Sequence, residues 1–216
     1  MASEPSIQFA GGVLGRERHI CALFNSRDEE YRVLRSFITE GFDREDKAVH
    51  IVDPEQRQAH LERLREAGID VERATGRGQL EVRPWSDAYL RNDHFDQDAM
   101  LALLEKLLGA AGAAGYRATR VLAHMEWALL DKPGVDDLLE YETRVNYVLP
   151  KYDDPVICSY DLSRFGAHVA VDILRTHPVV IVGGVLQENP FYVPPDQFLL
   201  ELWERGAARL GNRVVR

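Results

Sequence analysis

The stretch His19-Ile20-Cys21-Ala22-Leu23-Phe24-Asn25-Ser26-Arg27-Asp28-Glu29-Glu30 decides how the rest of the chain is read. After His19 its first residues are apolar without the alternation of a half-buried strand, which describes a strand covered on both faces. Ser26 followed by Glu29 is a capping-box pattern that opens a helix, and Tyr31, Leu34, Ile38 and Phe42 then recur at helical spacing. A doubly covered strand running into an amphipathic helix is the first half of a parallel βα unit. The turn between them also excludes a chemistry. A phosphate-cradling turn needs glycines and donors, as in GxxxxGK[ST] or GxGxxG, whereas this one has no glycine, no lysine and three acids. The glycines of the 11–15 stretch precede the strand, so neither ATP hydrolysis nor dinucleotide binding has a motif.

The same pattern repeats outward from this stretch. Residues 48–52, 80–82, 120–127, 156–160 and 179–182 read as further strands, the last as the final central strand. Helices are expected from Asp53-Pro54 through Glu66, over about 96–114, after Pro133 to near Pro150, over 165–175, and from Pro195-Asp196 onward. The last of these carries Phe198, Leu199, Leu202, Trp203 and Leu210. The resulting expectation is an α/β fold, a three-layer α/β/α domain with a mainly parallel central sheet. Residues 16–216 form its single domain and residues 1–15 a flexible tail.

Composition narrows the function classes. The 216 residues include 26 Lys and Arg against 35 Asp and Glu, a formal charge of −9. That charge repels nucleic-acid backbones and anionic lipid, so no direct nucleic-acid or membrane partner is expected. The apolar runs fall far short of the roughly 20 residues that span a bilayer. With no secretory leader pattern and two cysteines placed in core-like strands, the expected location is the cytoplasm.

In open parallel sheets ligands sit at the carboxyl ends of the strands. There the sequence places Phe24, Asp53, Glu126, Trp127, Tyr160 and Asp161. Asp53 is equally explained as a helix cap, whereas Glu126 has no such role. In the helix after Pro133, Glu142 falls on the apolar stripe with Leu138, Val145 and Leu149, and Asn146 lies one turn later. A carboxylate on that stripe must be paired, hydrogen-bonded or protonated. Its candidate partners are Arg120, His177 and a ligand. The seven histidines show no HxxxH spacing and the cysteines no CxxC, so no metal ligand is assigned. A site combining Cys21 or Cys158 with histidines from other strands stays open, and no cofactor is specified.

Taken in order, 19–24, 31–41, 49–53, 120–127, Tyr141-Glu142, 158–161, His177-Pro178, Gly183-Gly184 and 189–192 resemble the MEDS family, sensory domains named for methanogens, methylotrophs and the DcmR regulator. The likeness covers about residues 18–200. It implies a RecA/KaiC-like fold that has lost its phosphate loop, and a domain that senses small molecules such as hydrocarbon derivatives. By position it carries over His19, Asp53, Glu126, Trp127, Glu142, Tyr160, Asp161 and His177 as polar candidates. The resulting expectation is a non-enzymatic sensory module. An organic ligand would bind at the carboxyl edge of the sheet between walls of Phe24, Trp127 and Tyr160. Its polar group would be fixed by His19, Glu126 and Glu142, and output would pass through an oligomer or a separate protein. The competing expectations are an enzyme using Glu126, Asp161 and His19 as acid and base, and a non-catalytic interaction module.

Overall fold

The computed structural model describes residues 7–214, with side chains to residue 207. Its elements are β1 (Ile7–Phe9), β2 (Gly12–Leu14), β3 (His19–Phe24), α1 (Arg27–Asp43), β4 (Lys47–Val52), α2 (Arg57–Glu66), α3 (Val71–Gly76), β5 (Leu80–Pro84), α4 (Gln97–Ala113), β6 (Thr119–His124), α5 (Leu138–Val148), β7 (Val156–Asp161), α6 (Ala167–Arg175), β8 (Val179–Val182), β9 (Val185–Glu188) and α7 (Pro195–Val214). Seven strands form the main sheet in the order β5-β4-β6-β7-β3-β8-β9. All pair in parallel except β8 with β9.

Strand alternation divides the core into two layers. On β3, Cys21 and Leu23 join the layer that also holds Leu104, Tyr141, Val145, Tyr160 and Ile173, from α4, α5, β7 and α6. Ile20, Ala22 and Phe24 join the opposite layer, with Leu34 and Phe37 of α1 and Leu61 and Leu64 of α2. The expected three-layer α/β fold with a mainly parallel sheet is therefore the one observed.

Several local expectations are corrected. Residues 7–14 belong to no flexible tail: they form a hairpin closed by Ala10 (φ 47°) and Gly11 (φ 68°), the left-handed pair of a tight two-residue turn. Ile7, Phe9 and Leu14 are buried, and Phe9 packs on Phe37 at 4.9 Å. The Leu186 N–H donates to the Ala10 carbonyl at 2.8 Å, tying the hairpin to β9. Met1 to Ser6 lie outside the described residues. The alternation of Ile7-Gln8-Phe9 before two glycines carried this signal. Likewise Gly183 and Gly184, both at positive φ, turn β8 back into the unexpected edge strand β9. The strand expected over 120–127 ends at His124, and Glu126–Leu129 forms a 3₁₀ turn. On α7, Phe198 is fully buried beneath Arg175 and Arg205, while Trp203 is exposed; the side chain of Leu210 lies outside the described residues.

Because Phe9 is core, Phe9→Ala is expected to lower unfolding free energy by about 3 kcal/mol. Urea denaturation checks this, and a change below about 0.5 kcal/mol would return residues 7–14 to the status of a tail.

Candidate functional site

Glu142 is the least accommodated residue of α5. Leu138, Tyr141, Val145 and Val148 bury one face of the helix against the sheet, and the 3.6-residue period carries Glu142 in with them. Its carboxylate is completely buried. Oε1 accepts the Tyr160 hydroxyl at 2.7 Å. Oε2 lies 3.0 Å from His19 Nε2, 3.3 Å from His177 Nε2 and 3.6 Å from Cys158 Sγ. The His19 and His177 rings lie with centroids 3.9 Å apart, tilted by 37°. Donor atoms of His19, Glu142, Cys158 and His177, all metal-ligating types, lie within 4.8 Å of one another.

Electrostatics follows from burial. Burial and the neighbouring His177 push His19 down to about 4, although Glu142 pulls the other way. Burial raises the Glu142 carboxyl, but His177 and His19 outweigh it and hold the group well below the usual carboxylate range. Burial next to Glu142 pushes the Cys158 thiol and the Tyr160 phenol upward.

This cluster sits toward the amino edge of the sheet, where β3 and β8 begin, and so departs from the expected carboxyl-edge site. His177 is the partner anticipated for Glu142; Arg120 is not. Arg120 shares its strand face with Leu122, so it points into the opposite layer, where it donates to Asp46 at 2.8 Å and to the Phe37 carbonyl at 2.7 Å.

At the carboxyl edge the remaining candidates are engaged with the fold itself. Glu126 pairs with Arg27 at 2.6 Å and accepts the Asp161 N–H at 3.2 Å. Asp161 accepts from the backbone and hydroxyl of Ser163. Asp53 caps its turn by accepting the Glu55 N–H at 2.9 Å, which is the capping role. Phe24 is core, and Trp127 stacks on Tyr89 with centroids 4.6 Å apart. The Glu29 carboxylate accepts the Asn25 N–H at 2.8 Å, so the first turn satisfies its donors with its own acid. His19 pairs in register with Val156, five residues before the Asp161 that Glu126 touches. It therefore lies roughly 16 Å from that end. The acid–base trio Glu126, Asp161 and His19 is not brought together.

Two features were missed. One is a buried relay in the opposite layer: Tyr31 donates to His60, and His60 Nε2 lies 2.8 Å from His50 Nδ1. Beside it Glu30 holds His124 at 3.1 Å and Arg27 at 2.6 Å. A histidine inside an apolar strand was its only sequence signal. The other is a cavity of about 540 Å³ over the amino edge, lined by His19, Asn146, Arg18, Tyr152, Tyr192 and Pro195 among others. It is assembled from three separate parts of the chain, which no local pattern reports.

The family model for the methanogen/methylotroph, DcmR sensory domain (MEDS) matches residues 18–178. The chain belongs to the MEDS family. It is 30% identical over 173 residues to the transcriptional repressor DcmR of Methylorubrum extorquens (strain DSM 6343 / CIP 106787 / DM4), a match covering 79% of this MEDS chain and 62% of that relative's length. A crystal structure of a KaiC-like protein from Pyrococcus horikoshii OT3 is similar over 76% of this chain and 70% of that one, with a TM-score of 0.49 and 14% identity. The family is one of sensory domains, and the chain spans about 62% of the length of the repressor it matches. No described helix is long and apolar enough to cross a membrane.

The relay predicts acid lability. Burial and the neighbouring His124 push His50 down to about 3, and burial and His50 push His60 well down. Each histidine is then neutral when folded but charged when unfolded below about pH 6.5. The stability present above that pH is lost as pH falls toward 3, by about 1.4 kcal/mol per unit for each such group. The expected result is a fall in Tm between pH 7 and pH 5 that is smaller in His50→Gln; equal falls in the two proteins would contradict it.

Proposed function

We propose that this chain is a small-molecule-responsive regulatory domain. It binds an organic ligand in the cavity at the amino edge of the sheet, and it passes the signal to a partner protein or a second copy. The observation that carries this reading is the cavity itself. Its volume of about 540 Å³ falls in the range of small-molecule sites. Tyr147, Leu149, Tyr152 and Tyr192 supply apolar and aromatic wall, while Arg16, Arg18, Asn146 and His19 supply polar groups that fix a ligand's orientation. The carboxyl edge, by contrast, spends its charged groups on one another.

The position of the cavity suggests how occupancy is transmitted. Its wall includes Pro195, the first residue of α7, and Tyr147, whose hydroxyl donates to Asp196. A ligand pressing on this wall biases the seating of α7, whose outer side presents Leu200 and Trp203 to solvent. To signal, the ligand must favour one seating of α7 over another.

A thermal-shift series with short-chain alcohols, amines, carboxylates and halogenated hydrocarbons tests the reading. At least one class is expected to raise Tm by about 5–10 °C at a hundredfold excess over its Kd. That shift is lost in Tyr192→Ala and kept in Asp53→Asn. Loss in Asp53→Asn with retention in Tyr192→Ala would return the ligand to the carboxyl edge.

A further inference from the structure

The surroundings of Glu142 pose a question of hydrogen-bond direction. Asn146 points its amide nitrogen at three carbonyls, those of Glu142 and Thr143 at 3.2 Å and of Thr176 at 2.8 Å. Its oxygen is therefore fixed as the acceptor facing His19 Nδ1 at 3.1 Å. A proton on His19 Nδ1 meets that oxygen, and Nε2 is turned to Glu142 Oε2 at 3.0 Å. His177 turns its other nitrogen to the same oxygen: Nδ1 lies 2.9 Å from both the Ile173 carbonyl and the Thr176 hydroxyl, and buried Nε2 lies 3.3 Å from Glu142 Oε2. Tyr160 occupies the far oxygen of Glu142. Two imidazole nitrogens, one carboxylate oxygen and one sulfur, all of metal-ligating type, thus converge within 4.8 Å of one another, with the Cys158 thiol donating to Oε2 when no ion is bound. A cation placed between them would be met by all four at once.

We propose that His19, Glu142, Cys158 and His177 form a four-coordinate site for a divalent transition-metal ion, with zinc the best match to the donor set. The contacts around Oε2 and Nε2 run 3.0, 3.3, 3.6 and 3.7 Å. A tetrahedron with zinc bonds of 2.0–2.3 Å has edges of about 3.3–3.7 Å. Charge also balances: two neutral imidazoles, a carboxylate and a thiolate around a divalent cation sum to zero, as full burial requires. On binding, the Cys158 thiol loses its proton to solvent and its sulfur bonds the metal. Asn146, the Ile173 carbonyl and Tyr160 supply the outer-shell contacts that fix ligand orientation in metal sites. Four protein ligands make the site closed and structural, tying β3, α5, β7 and the turn before β8 together. The cavity over His19 gives the ion a way in.

This inference does not depend on the organic-ligand reading, and a failed thermal-shift series would leave it standing. The test is cobalt(II) titration of the tag-free, chelator-stripped full chain, followed by zinc competition and elemental analysis. The expected result is about one metal per chain, tetrahedral d–d bands and a thiolate-to-cobalt charge-transfer band. That band disappears in Cys158→Ser and persists in Cys21→Ser, and His177→Ala weakens binding at least tenfold. The wild-type spectrum alone keeps the test decisive if a variant fails to fold. A folded wild-type chain that binds less than about a tenth of an equivalent, or binds cobalt without a thiolate band, overturns the proposal.

Discussion

A carboxylate cut off from water must be matched by what surrounds it, and Glu142 imposes that demand on three other parts of this fold. An unmatched buried charge costs several kcal/mol, comparable to much of a domain's net stability. The fold meets the demand with one residue from the start of β3, two from β7 and one from the turn leading into β8. These segments are neighbours only because β3 lies between β7 and β8 in the sheet. The strand order and the buried cluster therefore require each other. Losing the carboxylate would leave two histidines aimed at an empty point.

A second buried network, on the other face of the sheet, organises the carboxyl edge. Arg27 bridges Glu30 and Glu126, Glu30 holds His124, and the Tyr31–His60–His50 relay runs alongside. Here the polar groups are closed on themselves around the turn from β3 into α1. The two ends of the sheet thus differ in kind. The carboxyl edge is locked by internal ion pairs, whereas the amino edge joins a cavity to a convergent set of metal-ligating atoms. The proposed sensing function belongs at the amino edge for that reason.

The fold class was legible because doubly covered strands and amphipathic helices announce themselves locally. Ser26 with Glu29, and Glu142 with Val145, could be read from spacing alone. The hairpin over 7–14 carries only a weak local signal, the alternation of Ile7-Gln8-Phe9, and its burial depends on Phe37 and Leu186, far away in sequence. Glu142 could be recognised as buried and matched to His177. Its assembly with His19 and Cys158 could not, because it depends on which strands are neighbours. The separation of Glu126 from His19 is of another kind, since His19 opens β3 whereas Glu126 follows β6, and in a parallel sheet those are opposite edges.

The account's central claim is that a metal ion, and not a proton, completes the Glu142 cluster. Long-range ¹H–¹⁵N NMR of the histidine rings in the purified full chain near neutral pH tests it most directly. The account predicts that His19 and His177 both carry their proton on Nδ1 and that each Nε2 is unprotonated, with its resonance shifting on zinc addition. An imidazolium at either histidine, protonated on both nitrogens and unmoved by zinc, would show that a proton fills the gap and would contradict it.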